Sequence, residues 1–335
     1  MLNKKLRGQF YTTVNPFNND LFYKWTDIIA GFENETILEP FAGANNIVRM
    51  MDDLGYKNKW VCYDIDPGEV NNFPQYAVEK KDTLSEYPDN YRITITNPPY
   101  LAKNSATRSG LPFPETDYDD LYKLALDIML KKTQYVAAII PESFITQSLF
   151  HDRLFGVVSL TCKMFEETDC PVCLSLLVPT ESKAKLKIEE DDFLVYRENV
   201  FIGNFKNIKK SKIKANSSRD WKFNAPDGEI GLLAIDNTRS KSIKFVPGDE
   251  IDPSKIKVSS RGVTRIKGLP DDIDAGAFIN EANKEINRFR ESTGDLFLTA
   301  FRGLRKDGYY RRRLDFESAR EILTYSMEKY RGNHA

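Results

Sequence analysis

Tyr91-Arg92-Ile93-Thr94-Ile95-Thr96-Asn97-Pro98-Pro99-Tyr100 is the stretch on which the fold of the amino-terminal half turns. A short β-branched run closes on two prolines, so a strand is expected over Tyr91 to Thr96, ending at Asn97. Consecutive prolines lock φ and supply no N–H, so the carbonyls of Asn97 and Pro98 are presented rigidly instead of being consumed in a ladder. Ligands of open α/β sheets bind at the carboxyl ends of strands, which makes this tetrapeptide a candidate site. An exocyclic amine on a nucleic-acid base is a poor nucleophile because its lone pair is delocalised into the ring. Hydrogen bonds accepted from its N–H groups by the Asn97 side-chain oxygen and the Pro98 carbonyl would localise that lone pair with no general base. Tyr100 then offers a flat face on which a base removed from a duplex can stack.

Working outward, short apolar runs alternate with helical periods from Thr36 to about Val178, the pattern of βαβ units and a parallel sheet. Strands are expected at Thr36 to Glu39, Trp60 to Asp64, Tyr76 to Glu79, Tyr91 to Thr96 and Tyr135 to Ile140. Tyr118, Leu121, Tyr122, Ala125, Ile128 and Met129 fall on one helix face. Val158 to Lys163 and Cys173 to Val178 read as a closing antiparallel pair. The small-residue turn Leu38-Glu39-Pro40-Phe41-Ala42-Gly43-Ala44-Asn45-Asn46 lets a ligand approach the backbone before a helix starting near Ile47. Asp64 ends the second strand, where an acid can accept from both hydroxyls of a ribose, while Asp66 is placed to cap a following helix. Asp82 follows the third strand and could accept from an adenine amine or simply close a surface turn.

A polar, lysine-rich stretch at Pro179 to Lys187 marks a boundary, giving domains at residues 1–183 and 184–335. A chain of 335 residues can bury two such cores. In the second domain, strand-like pieces are expected at Ile230 to Ile235 and Ser242 to Val246. Helices are expected around Phe278 to Phe289 and around Phe316, Ala319, Ile322 and Leu323. The net charge of −1 divides unevenly: residues 1–200 hold 21 basic against 30 acidic side chains, and residues 201–335 hold 27 against 19, that is −9 and +8. A basic half beside an acidic one points to a polyanionic partner. Two basic clusters stand out: Lys206, Lys209, Lys210, Lys212 and Lys214, and Arg302, Arg305, Lys306, Arg311, Arg312 and Arg313 with Tyr309 and Tyr310 among them.

Other chemistries lack residues. Two histidines leave little for histidine-based nucleophilic catalysis or common zinc sites. Four cysteines in so long a chain do not make a disulfide framework. Cys170-Pro171-Val172-Cys173 has no second pair or nearby histidine to complete a metal site and opens an apolar strand, where cysteine packs as a small hydrophobe. No apolar run approaches the roughly 20 residues of a membrane span. The first residues lack a secretion signal, so a cytoplasmic location is expected.

The order Gly8-Gln9-Phe10-Tyr11-Thr12, Leu38 to Gly43, Asp64-Ile65-Asp66-Pro67, Asp82, Asn97 to Tyr100, Asp120-Leu121-Tyr122 and Ile140-Pro141-Glu142-Ser143-Phe144 closely resembles the ordered motifs of amino-methylating DNA methyltransferases. More narrowly, residues 7 to 180 resemble the gamma group of adenine-N6 enzymes from restriction-modification systems. The resemblance implies a class I methyltransferase fold, α/β with a mostly parallel seven-stranded sheet, followed by a smaller α+β DNA-recognition domain. It implies S-adenosylmethionine as cofactor, no metal, and methyl transfer to N6 of an adenine flipped out of double-stranded DNA. It further implies a bacterial or phage protein, monomeric on DNA, with a cognate restriction endonuclease acting separately.

Residue by residue, Phe10, Tyr11 and Thr12 would close over the methionine part of the cofactor, with Thr13 where the family usually has proline. Glu39, Pro40, Ala42 and Gly43 would hold the cofactor, Asp64 its ribose and Ile65 its adenine ring. Asp82, with Thr83, would meet the adenine amine, and Asn97 would touch both cofactor and substrate. Asn97, Pro98, Pro99 and Tyr100 would carry catalysis. Phe165, in Lys163-Met164-Phe165-Glu166-Glu167-Thr168-Asp169, matches the family's stacking aromatic and is expected on an exposed turn; the plainer alternative is a core residue ending a strand. Lys209, Lys210, Lys212, Arg302, Arg305, Lys306, Arg311, Arg312 and Arg313 would contact DNA. The same motifs leave room for an N4-cytosine enzyme, an RNA or protein-glutamine methyltransferase, or an inactive DNA-binding relative.

Overall fold

The computed structural model of the chain describes residues 14–161, 163–165 and 170–333. It divides into two compact units, residues 1–205 and 206–335. The first is built on nine strands: β1 (Thr36–Glu39), β2 (Lys59–Asp64), β3 (Val78–Lys80), β4 (Ile93–Thr96), β5 (Tyr135–Pro141), β6 (Leu154–Ser159), β7 (Val172–Leu177), β8 (Leu194–Arg197) and β9 (Val200–Asn204). They form one sheet in the order β3-β2-β1-β4-β5-β7-β6-β8-β9. β1 to β5 are mutually parallel, and β7 lies antiparallel between β5 and β6. That is the class I methyltransferase arrangement, with strand order reversing between β1 and β4, where doubly wound sheets take their ligands.

Burial explains the sheet. β5 reads Tyr-Val-Ala-Ala-Ile-Ile-Pro, and Val136 to Ile140 are wholly buried, as befits a central parallel strand covered on both faces. The helices of this unit are α1 (Asp20–Ile28), α2 (Asn46–Asp53), α3 (Lys103–Arg108), α4 (Leu121–Lys132) and α5 (Thr180–Lys185), and α6 (Phe205–Lys210) begins at the division between the units. In α1 the Asn19 side chain caps by accepting from Phe22 N at 2.9 Å, and Leu21, Phe22 and Trp25 are buried. The buried face of α4 is Leu121, Tyr122, Ala125, Leu126 and Met129. Tyr118 precedes that helix and Ile128 is half-buried, so Leu126 takes the place expected for Ile128. Cys62 on β2 and Cys173 on β7 are buried free thiols. Burial pushes the Cys173 thiol up to about 12 and that of Cys62 higher still.

Two expectations are corrected here. The sheet has nine strands, not seven, because β8 pairs parallel to β6 and β9 antiparallel to β8. The polar stretch at Pro179 to Lys187 is therefore not a boundary but the helix α5, in which Lys183 is buried with Nζ donating to the His151 and Glu190 carbonyls. The units divide at Phe205/Lys206 rather than 183/184. Residues 201–205 carry no charged side chain, so the sums of −9 and +8 fall on the two units unchanged.

The second unit holds a four-stranded antiparallel sheet and a hairpin. The sheet contains β10 (Lys222–Phe223), β11 (Ile230–Leu233), β12 (Lys244–Pro247) and β13 (Val263–Lys267) in the order β10-β13-β11-β12. Helix α7 (Ala275–Thr293), the hairpin β14 (Thr299–Leu304) and β15 (Tyr310–Arg313), and helix α8 (Phe316–Asn333) complete it. Trp221, Ile230, Leu232, Phe245, Phe278, Ile286, Phe289, Ile322 and Leu323 form its own buried core. Among the described residues no helix is long and apolar enough to cross a membrane.

Candidate active site

Because β1 to β4 are parallel, Glu39, Asp64, Lys80 and Thr96 end their strands on one edge of the sheet. The turn after β1 is braced from several sides. Ala42 N donates to the Tyr63 carbonyl at 2.8 Å, and Gly43 N to Asp64 Oδ2 at 3.0 Å. Gly43 has φ 53°, a left-handed conformation that favours glycine. Asn45, also left-handed, donates from Nδ2 to the Tyr76 carbonyl at 2.8 Å. Thr83 is a fastener: its hydroxyl donates to the Pro40 carbonyl at 2.8 Å and joins the β3 end to the same turn.

Glu39 is buried beneath that turn. Its Oε1 accepts from Phe41 N at 3.0 Å and from the Thr96 hydroxyl at 2.5 Å, while Oε2 is buried with no hydrogen-bond partner among the described residues. Burial outweighs these bonds and pushes the carboxyl up to about 8. Asp64, 7% exposed, accepts from Gly43 N and Asp66 N through different oxygens, which leaves each oxygen a further lone pair. Ile65 beside it is 51% exposed, a large apolar side chain standing in solvent at the edge of the turn. Asp66 caps no helix, since the chain from 66 to β3 has none. Asp82 is exposed and closes the next turn, accepting from Leu84 N at 3.1 Å and the Ser85 hydroxyl at 2.6 Å.

At the end of β4, Pro98 is buried and Asn97, Pro99 and Tyr100 are half-buried. The Tyr100 hydroxyl lies 2.5 Å from both the Ile139 carbonyl and Asn97 Oδ1, so one phenolic proton is shared between two acceptors. Burial holds that phenol well above its usual range. Tyr100 therefore fastens the Asn97 side chain to β5. The Tyr100 ring meets Tyr122 and Phe165 edge-on, with centroids 6.3 Å and 6.1 Å away. Leu101 N donates to Asp120 Oδ1 at 3.1 Å, tying the segment after the tetrapeptide to the start of α4.

Phe165 is 1% exposed and belongs to the core rather than to an exposed turn, because it packs behind the Tyr100 ring. Phe10, Tyr11 and Thr12 lie outside the described residues, as does the Arg302 side chain. Thr96, Ile139 and Asn45 are bracing groups that sequence reading passed over; only the spatial pairing of β4 with β5 and the left-handed turn expose them.

The basic clusters separate into exposed and buried members. Lys209, Lys210, Lys212 and Lys306 are exposed, and Arg313 is half-buried. Arg305 and Arg312 are instead buried, Arg305 with its guanidinium against acids of its own unit. Arg305 Nη2 pairs with Asp307 at 2.7 Å and its Nη1 with Asp236 at 3.4 Å, while Arg312 N donates to Asp236 Oδ2 at 3.3 Å. Arg311 is half-buried, with Nε donating to the Asp236 carbonyl at 2.6 Å. At the centre, Arg290 forks onto Asp236 and Asp295 with contacts of 2.7–3.0 Å. Burial opposes its charge, but these bonds prevail and hold the guanidinium above its usual range.

The residues fit a nucleoside cofactor. Glu39 offers a buried unpartnered oxygen, Asp64 spare acceptor capacity, and Ile65 an exposed apolar face. No protein-family profile and no curated protein matches the chain. Among solved structures, it is similar to the methyltransferase subunit of a type I restriction-modification system from Streptococcus thermophilus, at 15% identity over 56% of this chain and 47% of that one, with a TM-score of 0.37. It is also similar to the M protein of the type I restriction enzyme EcoKI, at 13% identity over 79% of this chain and 68% of that one, with a TM-score of 0.34. The match thus spans about half the length of the Streptococcus protein.

Proposed function

We propose that this chain is a site-specific DNA methyltransferase that transfers a methyl group from S-adenosylmethionine to N6 of a flipped-out adenine, as the modification enzyme of a restriction-modification system. The observation that carries this reading is Asn97-Pro98-Pro99-Tyr100 at the carboxyl end of β4, with the Asn97 amide fastened by Tyr100 beside the Glu39 and Asp64 turn. S-adenosylmethionine, when bound, supplies an electrophilic methyl group on a sulfonium centre. Asp64 would accept from its ribose hydroxyls, Ile65 would cover its adenine ring, and Asp82, with Thr83 bracing the turn from Pro40, would accept from the adenine amine. Glu39, held largely protonated by burial, would brace the turn through Phe41 and Thr96.

Asn97 Oδ1 and the Pro98 carbonyl accept from the two N–H groups of the target amine and turn its lone pair toward the methyl group. Pro99 keeps that carbonyl fixed. The exposed part of the Tyr100 ring takes the base face, with Phe165 supporting it from behind. Most of the rate then comes from positioning two reactants at a fixed approach. The acidic first unit and the basic second unit fit a division between catalysis and DNA holding, in which exposed Lys209, Lys210, Lys212 and Lys306 serve better than buried Arg305 and Arg312.

Incubating the full chain with duplex DNA and methyl-labelled S-adenosylmethionine, then hydrolysing to nucleosides, tests the reading. Label in N6-methyladenine is expected. Label in N4-methylcytosine would overturn the base assignment, and label in RNA or protein but never in duplex DNA would overturn the substrate class.

A further inference from the structure

The second unit carries a built, basic surface outside both sequence clusters: the turn between β12 and β13. From Pro253 to Lys267 the chain has five Lys or Arg and no acid. Lys255, Lys257 and Arg261 are exposed, and among the described residues none of them enters an ion pair. At the tip, Val258 is 93% exposed, more than any other large apolar side chain among the described residues.

The backbone that holds Val258 out is fastened, not slack. Ser260 N donates to the Lys257 carbonyl at 2.8 Å, Lys257 N to Ser260 Oγ at 2.9 Å, and Asn224 Nδ2 to the Val258 carbonyl at 2.9 Å. Asn224 has φ 57°, a region that asparagine tolerates, and it is locked to buried Thr264 on β13. Its N donates to Thr264 Oγ1 at 2.8 Å, and that hydroxyl donates back to Asn224 Oδ1 at 2.7 Å. Gly262 follows where a Cβ would lie 2.8 Å from Ile235 Cδ1, so the chain passes hard against its own unit.

A fixed aliphatic side chain in water gains nothing from the fold; around it Lys257 is exposed, Lys255 acts on Asp252, and Arg261 lies over the Phe316 ring with Nη1 donating to the Ser260 carbonyl at 3.0 Å, which leaves a net positive face that suits a polyanion. Valine is too short to wedge between base pairs, where longer apolar side chains are used. It matches the C5-methyl of thymine, the apolar feature of the major groove. Resting on the DNA-methyltransferase reading above, we infer that the turn at residues 253–262 contacts duplex DNA at the recognition site, with Lys255, Lys257 and Arg261 on phosphates and Val258 against a thymine methyl.

The test uses the full chain and a duplex containing the site it modifies, plus duplexes with uracil replacing thymine one position at a time. One uracil is expected to weaken wild-type binding about fourfold, the value of one buried methyl, and to leave Val258→Ala unaffected. The triple variant Lys255→Ala, Lys257→Ala, Arg261→Ala should lower the slope of log affinity against log salt by about 2 to 3, with S-adenosylmethionine binding and circular dichroism retained as a check of folding. Uracil that is silent everywhere in wild type, or that weakens both proteins alike, overturns the Val258 contact. An unchanged salt slope overturns the phosphate contacts. A wild type that binds no duplex overturns the DNA reading itself, whereas wild type and variants binding duplex identically overturn only this inference.

Discussion

At the scale of single residues, Asn97 and Glu39 sit at adjacent strand ends with opposite relations to solvent. Asn97 is half-buried and held by the Tyr100 hydroxyl. Asn97→Ala should lower methyl transfer by on the order of a hundredfold or more while cofactor affinity, measured by calorimetry, changes little. Near-normal turnover would remove the amide from the mechanism. Glu39 is pushed up to about 8 by burial, against the opposing bonds from Thr96 and Phe41. A carboxyl raised in the folded state binds its proton more tightly there than in the unfolded chain. Its contribution to stability is full below the ordinary carboxylate range and is lost as pH rises through about 8. Denaturation midpoints of wild type taken at about pH 5 and about pH 9 should therefore fall toward the higher pH, and Glu39→Gln should flatten that difference. An identical pH dependence in the variant would show that the group is already ionised in the fold.

Elements show which parts of the fold are written locally. β1, β2, β4 and β5 announce themselves as short β-branched or apolar runs, and the structure ends β1, β2 and β4 at the expected residues Glu39, Asp64 and Thr96. β8 and β9 do not, because they follow a lysine-rich helix whose Lys183 is buried against two carbonyls, a circumstance no local pattern reveals. Phe165 read as exposed from its acidic neighbours, yet a partner 65 positions earlier, Tyr100, decides its burial. Arg305 and Arg312 read as phosphate ligands, yet both are buried, and the hairpin brings the Arg305 guanidinium onto Asp236. Asp120 belongs to this scale: it caps α4 through Tyr122 N and holds Leu101 N, and burial raises it to about 6 against those two bonds. Asp120→Ala should cost about 1 kcal/mol in chemical denaturation, the usual loss for a helix cap. It should also lower transfer, because the segment following Tyr100 loses its tie to α4. A variant as stable and active as wild type would make the cap incidental.

Over the whole molecule, two units with separate cores predict separable failures. Removing one partner from a buried ion cluster leaves an uncompensated charge, at about 3–5 kcal/mol. Arg290→Met leaves Asp236 and Asp295 buried without their shared fork. It should unfold the second unit early and abolish duplex binding while S-adenosylmethionine binding by the first unit persists. Simultaneous loss of both in equilibrium titrations would mean that the units do not fold independently. The distribution of two residue types makes such a titration readable on the unmodified sequence. All four cysteines lie at positions 62 to 173, in the first unit, and Trp221 is the one tryptophan of the second. Cys62 and Cys173 are sealed inside the sheet, so their capture by a thiol reagent clocks the opening of the first unit. Trp25 and Trp60 lie in the first unit, so a change of emission that runs apart from thiol capture belongs to Trp221 and shows which half of the chain lets go first.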